Sequence, residues 1–482
     1  MVFSSLFFVF CFFPLNMLLY WLMPDLKRKN IVMLIFSLIF YAWGGPLYIF
    51  LLVGMTLADY IAAILIEDSQ TDGQRKAMLA VGCGVNLTLL VIFKYLTFIL
   101  TNIHNLCGVP EEVLQIALPI GISFYTFQLL SYMVDVYRGE VYAQRNFATL
   151  LLYVSLFHQC IAGPIIRYET VAAELSDRRV KVTDLYQGTR RFAIGLAKKA
   201  LLANYCGTLA NTFLCATDNA AGADVLLQKS ALSILIGSIC YTMQIYLDFS
   251  AYSDMAIGMG RMIGFHYLEN FDYPYMSASI TEFWRRWHIS LSTFFRDYVY
   301  IPLGGNRCSK ARHIFNLLVV WTLTGFWHGA SWNYMFWGLF NFAFLMLEKF
   351  LLADRMDDIP SPIMHIYALL VINFGWILFR CENLSWLGIE LKGLLGLNGN
   401  GFCNYETLVN LKSNMFFLVV AMIACTPLAK NIRLLIQKLA YRNNIAANVH
   451  QVIQALIPVV LLILSTASLV GDSYNPFLYL RF

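Results

Sequence analysis

The sequence predicts an all-α, polytopic membrane protein, and three observations carry that prediction. Apolar runs of roughly 20 residues recur from end to end, the length a helix needs to cross a bilayer. Only 13% of the 482 residues are Asp, Glu, Lys or Arg. That is about half the ~25% usual for soluble domains, too few to cover a water-facing surface of this size. The short alternating segments of a membrane β-barrel are absent. The chain reads as one membrane domain over 1–482.

Apolar segments lie near 2–23, 31–43, 47–66, 77–103, 115–137, 147–166, 192–214, 225–247, 314–328, 331–352, 363–379, 414–429 and 452–471. The first, VFSSLFFVFCFFPLNMLLYWLM, has no basic leader and no small-residue cleavage site, so it reads as a retained span. It opens a set of N-terminal spans over 1–137. Basic residues then set the orientation: Lys27, Arg28 and Lys29 form the first cluster and belong on the cytoplasmic side, with the N-terminus outside. Arg75 and Lys76 fall inside, and loop 104–114, without Lys or Arg, falls outside.

Arg138 and Arg145 belong inside, and so does the basic segment 167–191. The run 147–166 between them therefore cannot cross. With His158, Gln159, Gly163 and Pro164 it reads as re-entrant, a backbone tolerated at membrane depth only when buried in protein or lining a cavity. Residues 167–191 form a cytoplasmic segment and 215–224 an outer loop. Residues 266–313 form a basic cytoplasmic or interfacial segment, 314–352 a pair of helices, and 363–482 the C-terminal spans, ending outside. The count is about eleven spans plus one re-entrant element. No internal repeat supports an inverted-repeat transporter. The net charge of +5 reports loop orientation, not a nucleic-acid partner.

The eleven cysteines show no metal spacing and read as small apolar residues. Cys381 and Cys403 share a predicted external loop and are candidates to pair. There is no HExxH, P-loop, dinucleotide fingerprint or serine-nucleophile motif.

One polar stretch interrupts the oily pattern: EFWRRWHISLSTFFRDYVYIPLGGNR, residues 282–307. On a helix over 284–298, Trp284, Trp287, His288, Leu291, Phe294, Phe295 and Tyr298 share one face. Arg285 and Arg296 share the flank, and Arg286 and Asp297 the far side. Such a helix suits the membrane surface, as an anchor with snorkelling arginines or as a floor that admits an anionic ligand. Pro302, Gly304 and Gly305 end it, with Arg307 beyond.

A second histidine lies deeper, in WTLTGFWHGASWNYMFWG, residues 321–338. Ionisable residues inside a membrane are functional candidates by default, although a hydrogen-bonded core histidine is the plain alternative for His328. The small residues Gly329, Ala330 and Ser331 break the helix register and leave room for a substrate. A neutral imidazole there can accept a proton from a hydroxyl. Asp59, Lys94, Asp135, Asp248 and Asp254 are further embedded polar groups. Most read as structural pairs, and Asp248 and Asp254 are placed to orient the basic segment that follows.

DFSAYSDMAIGMGRMIGF, ENFDYPYMSASITEFWRRWHISLSTFFRDYVYIPLGGNR and TGFWHGASWNYMFWG together resemble the membrane-bound O-acyltransferase family. The chain is most similar to the bacterial branch that acetylates alginate and transfers D-alanine to teichoic acid. MVFSSLFFVFCFFPLN, LPIGISFYTFQLLSYMVDVYRGE, FHQCIAGPIIRY and the terminal NPFLYLRF carry the likeness over nearly the whole chain. The resemblance implies a helix bundle around a central tunnel. The donor is an acetyl-CoA or acyl-carrier thioester reached from the cytoplasm, and no metal or resident cofactor is implied. His328 matches the family's catalytic histidine and His288 its second polar position. On this reading Arg285, Arg286, Arg296 and Arg307 meet the donor, and Trp287, Trp327, Ser331, Asn333, Asp248 and Asp254 support the tunnel.

The implied function is transfer of an acetyl group across a bacterial cytoplasmic membrane, towards an extracellular polysaccharide directly or through a secreted relay protein. D-alanyl transfer is the near alternative, and export of a polysaccharide or lipid-linked sugar the one from another class. The apolar tail SYNPFLYLRF is expected to pack into the outer mouth.

Overall fold

The computed structural model describes residues 1–108, 115–160, 163–215, 222–353 and 355–471, which are helical with no strand among them. The terminal tail lies outside the described residues. Among the described residues, six helices are long and apolar enough to cross a membrane: Tyr48–Asp68, Asp72–Cys107, Ala231–Met262, Ser361–Arg380, Tyr405–Ala424 and Asn444–Gly471. The other apolar runs form shorter or more polar helices packed among these, such as Phe8–Leu22, Ile122–Arg138 and Lys310–His328.

Ala231–Met262 is the axis of the fold, buried along most of its length. The helix Val182–Ala197 lies against it at backbone contact. A Cβ on Gly188 would stand 2.6 Å from the Gly258 carbonyl oxygen, and one on Gly195 2.7 Å from that of Ala251. Glycine at these positions is what permits the close approach, since lipid supplies no hydrophobic drive between helices and packing must hold them.

Several buried polar groups are paired across helices, as a low-dielectric interior favours. Asn86 Nδ2 donates to both Asp59 carboxylate oxygens at 2.8 Å. Tyr298 donates to Asp135 at 2.7 Å. Asp248 pairs with Lys199 at 2.7 Å, and Asp254 with Lys198 at 2.8 Å and Arg191 at 3.0 Å. Both aspartates therefore bind the helix that precedes them in sequence, not the basic segment that follows, because that helix is the one pressed against Ala231–Met262.

The stretch expected to be re-entrant is two short buried helices, Phe147–Ser155 and Phe157–Cys160, broken at Leu156. The Phe157 N–H donates to Ser37 Oγ at 3.2 Å and the Tyr153 hydroxyl to the Ile166 carbonyl at 2.8 Å, so the irregular backbone is held inside protein. The expected pairing of Cys381 with Cys403 is not made. Both are free thiols, and Cys381 is buried with its Sγ donating to Glu390 at 3.3 Å.

The expected single helix over 284–298 is also corrected. Two seven-residue helices, Ile280–Arg286 and Ile289–Phe295, stand in its place. The chain breaks because residues 270–272 capture the backbone between them. The Ile289 N–H donates to the Asn270 carbonyl and the Asp272 N–H to the Arg286 carbonyl, each at 3.0 Å. Those two groups would otherwise carry the helix ladder through the junction. At the other end, buried Glu348 accepts from the Ile280 N–H (2.6 Å), the Thr281 N–H (2.9 Å) and the Thr281 hydroxyl (2.7 Å). It satisfies donors that a helix N-terminus leaves open.

Candidate active site

His328 is the last residue of Lys310–His328. Gly329 follows in extended backbone, and Trp332–Met346 begins after Ser331. The helix therefore ends where the small residues place its end. Its last carbonyls are met from another span. Tyr95 donates to the Phe326 carbonyl at 2.7 Å, and Lys94 donates to that of Trp327 and to Ser123 Oγ at 2.9 Å. These donors satisfy carbonyls that a helix C-terminus leaves open and fix the turn that carries the histidine. Aromatic edges enclose the imidazole: Trp337 with centroids 4.9 Å apart, Trp327 at 5.0 Å and Phe379 at 5.4 Å.

His288 sits at the junction of the two short helices with φ 45° and ψ 55°. This left-handed conformation is costly for a residue with a Cβ and is held by its surroundings. Asn270 supplies them. Its Oδ1 meets the Ser290 N–H at 3.2 Å, the Ser290 hydroxyl at 2.9 Å and His288 Nδ1 at 3.2 Å. A backbone N–H only donates, so the Asn270 atom it meets is the oxygen. His288 Nδ1 therefore carries the proton, and Nε2 is the acceptor. The Asn270 amide nitrogen donates on to Ser253 at 3.3 Å, and Ser290 Oγ accepts the Ile165 N–H at 3.0 Å. Burial pushes the His288 imidazole down to about 3, so the ring is neutral at ordinary pH.

Both histidines line one cavity of about 270 Å³. Its walls are apolar, with Leu291, Phe295, Leu317, Val320 and Trp321 among them, and Arg285 and Arg296 also line it. The Trp327 ring stands next to both imidazoles, 5.7 Å from that of His288. Two imidazoles in a largely apolar chamber can accept a proton from a hydroxyl brought between them.

The remaining predicted residues divide. Trp287 is buried beside the cavity against Phe271, Phe283 and Trp376. Asn333 is buried and donates to the Phe379 carbonyl at 2.9 Å, tying two helices together. Ser331 lies at the start of the next helix, and neither residue lines the chamber. Arg286 is turned away to Glu282 (2.9 Å) and Asp272 (3.6 Å). Arg307 is exposed and outside the chamber. Asp248 and Asp254 are held in the ion pairs described above, also outside it. The four arginines are thus not one cluster: Arg285 and Arg296 line the chamber, while Arg286 and Arg307 do not.

Sequence reasoning missed Asn270, Ser290 and the role of Lys94. The signal for Asn270 was faint, one amide in the aromatic loop ENFDYPY.

A second, larger cavity of about 1150 Å³ reaches Asn270 and Ile289 from the other side of the junction.

The profile of the MBOAT, membrane-bound O-acyltransferase family, matches residues 89–387. The chain is 39% identical over 390 residues to "Probable alginate O-acetylase AlgI" of Azotobacter vinelandii, covering 80% of this chain and 76% of the relative. It is 32% identical over 440 residues to the "Peptidoglycan O-acetyltransferase" of Helicobacter pylori, covering 84% and 81%. To the "Teichoic acid D-alanyltransferase" of Bacillus subtilis it is 27% identical over 273 residues, covering 54% and 67%.

Proposed function

The chain belongs to the membrane-bound O-acyltransferase family, and from that premise we propose that it moves an acetyl group from a thioester to hydroxyls of an extracellular polysaccharide, with His328 as the base. The observation that carries this reading is the chamber itself, where His328 at a helix end and His288 with its acceptor nitrogen set line one largely apolar cavity.

In the reaction, the acceptor oxygen attacks the thioester carbonyl carbon and forms the new C–O bond. The C–S bond breaks and the sulfur leaves. The hydroxyl proton passes to the His328 imidazole and from there to the departing thiolate, so the enzyme returns to its starting state. General-base help of this kind is worth ~10²–10⁴-fold. His288 presents Nε2 as an acceptor that orients the incoming group. Arg285 on the chamber wall suits an anionic donor, since the guanidinium fork matches phosphate oxygens, whereas Arg296 is held by Asp297 at 2.6 Å.

The donor is a small acyl thioester of coenzyme A or of an acyl carrier, taken from the cytoplasmic side. The enzyme resides in a bacterial cytoplasmic membrane with both termini outside, as the distribution of basic loops favours. The acceptor is reached directly or through a secreted relay protein. Acetyl transfer is favoured over D-alanylation because the two acetylating relatives are more similar to this chain and cover more of it. His328→Ala should lower polysaccharide acetylation by ~10²–10⁴-fold while leaving the protein in the membrane at normal level. Acetylation retained at the wild-type level would overturn the assignment.

A further inference from the structure

The large cavity on the far side of the His288 junction has charge that the acyl-transfer reading leaves unexplained. Its acids are already engaged: Asp254 by Lys198 and Arg191, Glu269 by Arg191, and Asp272 by Arg286. Two arginines remain. Arg190 projects from Val182–Ala197 and Arg433 from Leu428–Ala440, and both line this cavity and an adjoining one of about 430 Å³. Neither forms an ion pair among the described residues, and the Nε of each is buried with no hydrogen-bond partner. Burial and the neighbouring Arg433 charge hold the Arg190 guanidinium below its ordinary range. Lys430 lies on the same wall, its Nζ 5.8 Å from the Tyr273 ring centroid.

Two like charges held together, partly desolvated and lacking an acid, are unfavourable by themselves and become favourable around an anion. We propose that Arg190 and Arg433 form a phosphate-binding site at the large cavity, separate from the histidine chamber. The guanidinium fork selects the tetrahedral oxygens of a phosphate ester or diphosphate. The helix carrying Arg433 also exposes Ile432, Leu435, Ile436 and Leu439, which suits a helix lying in the membrane interface. The phosphate can therefore come from a soluble ligand or from a lipid headgroup.

The test uses the full chain, with thermal unfolding as the readout. One arm adds inorganic pyrophosphate to protein in micelles free of anionic lipid. The other compares phosphatidylcholine nanodiscs with and without phosphatidylglycerol. The unfolding midpoint is expected to rise in at least one arm. Arg190→Gln and Arg433→Gln should each raise the half-maximal pyrophosphate concentration, or the phosphatidylglycerol fraction required, by about tenfold, while Lys438→Gln on the same helix leaves it unchanged. Arg190→Lys and Arg433→Lys keep the charge and should weaken binding less than Gln. A response to pyrophosphate assigns a soluble phosphate, and a response to phosphatidylglycerol alone assigns a lipid. No response in either arm, or one unaltered in all four arginine variants, overturns the site. Acetyl transfer is scored separately through His328→Ala, so the two readings fail independently.

Discussion

The two histidines of the chamber are seated in opposite ways. His328 ends a regular helix of 19 residues, and its position follows from where that helix stops. His288 sits in left-handed backbone between two helices of seven residues, held by an asparagine 18 positions earlier in the chain. One seat is made by local sequence and the other by tertiary capture. A residue placed by a helix end tolerates changes around it, whereas one placed by a single side chain depends on that side chain.

The sharpest way to break this comparison is at the imidazoles. His328→Ala should lower acetyl transfer by ~10²–10⁴-fold, the usual worth of a general base. His288→Ala should cost about 10²-fold, at the lower edge of that range. If the His288 variant lost more than the His328 variant, the roles would be exchanged.

Asn270→Ala tests the capture itself. Its expected cost is about tenfold in kcat, the loss of one buried hydrogen-bonding group, with donor KM little changed. A pH profile separates positioning from general damage. Asn270→Asp would place a carboxylate against His288 Nδ1 and favour the imidazolium, raising its pKa from about 3. Because the reaction uses the neutral ring, the acid limb of activity should move to higher pH than in the wild type. An unmoved limb would mean that Asn270 only folds the loop.

Lys94→Met addresses the other seat. It strips a donor from the Trp327 carbonyl, and leaving that group open should cost about 1–3 kcal/mol of stability, read as a lower thermal midpoint. Activity per folded molecule should fall less than in Asn270→Ala, since the helix end is also set by Gly329. The smallest contrast is between neighbours. Arg285→Gln, on the chamber wall, should raise donor KM severalfold. Arg286→Gln, already engaged by Glu282 and Asp272, should stay within about twofold, as for a partly exposed ion pair. Equal effects would put Arg286 back beside Arg285 at the donor.

Legibility followed the range of the forces involved. The helix end at His328 was readable because GAS follows the histidine and small residues stop a helix locally. The single helix over 284–298 was misread because its aromatic spacing fits a helical face over about four turns. The projection could not register that Asn270 and Asp272 would take the backbone groups at its centre. Asp248 and Asp254 were recognised as embedded acids, yet their partners were assigned by sequence proximity, and Gly188, Gly195 and Gly258 bring a different helix against them.

By itself, then, the sequence determined the membrane class, the helical architecture and the family, and it singled out two histidines. These depend on composition, on periodicity within a few turns and on motif residues that stand in the chain as written. Only the tertiary structure decided which arginines reach the chamber, which nitrogen of His288 carries the proton, and where two arginines were left without an acid. Each of those turns on a contact between residues distant in sequence, made only when helices pack and the buried backbone must find its partners.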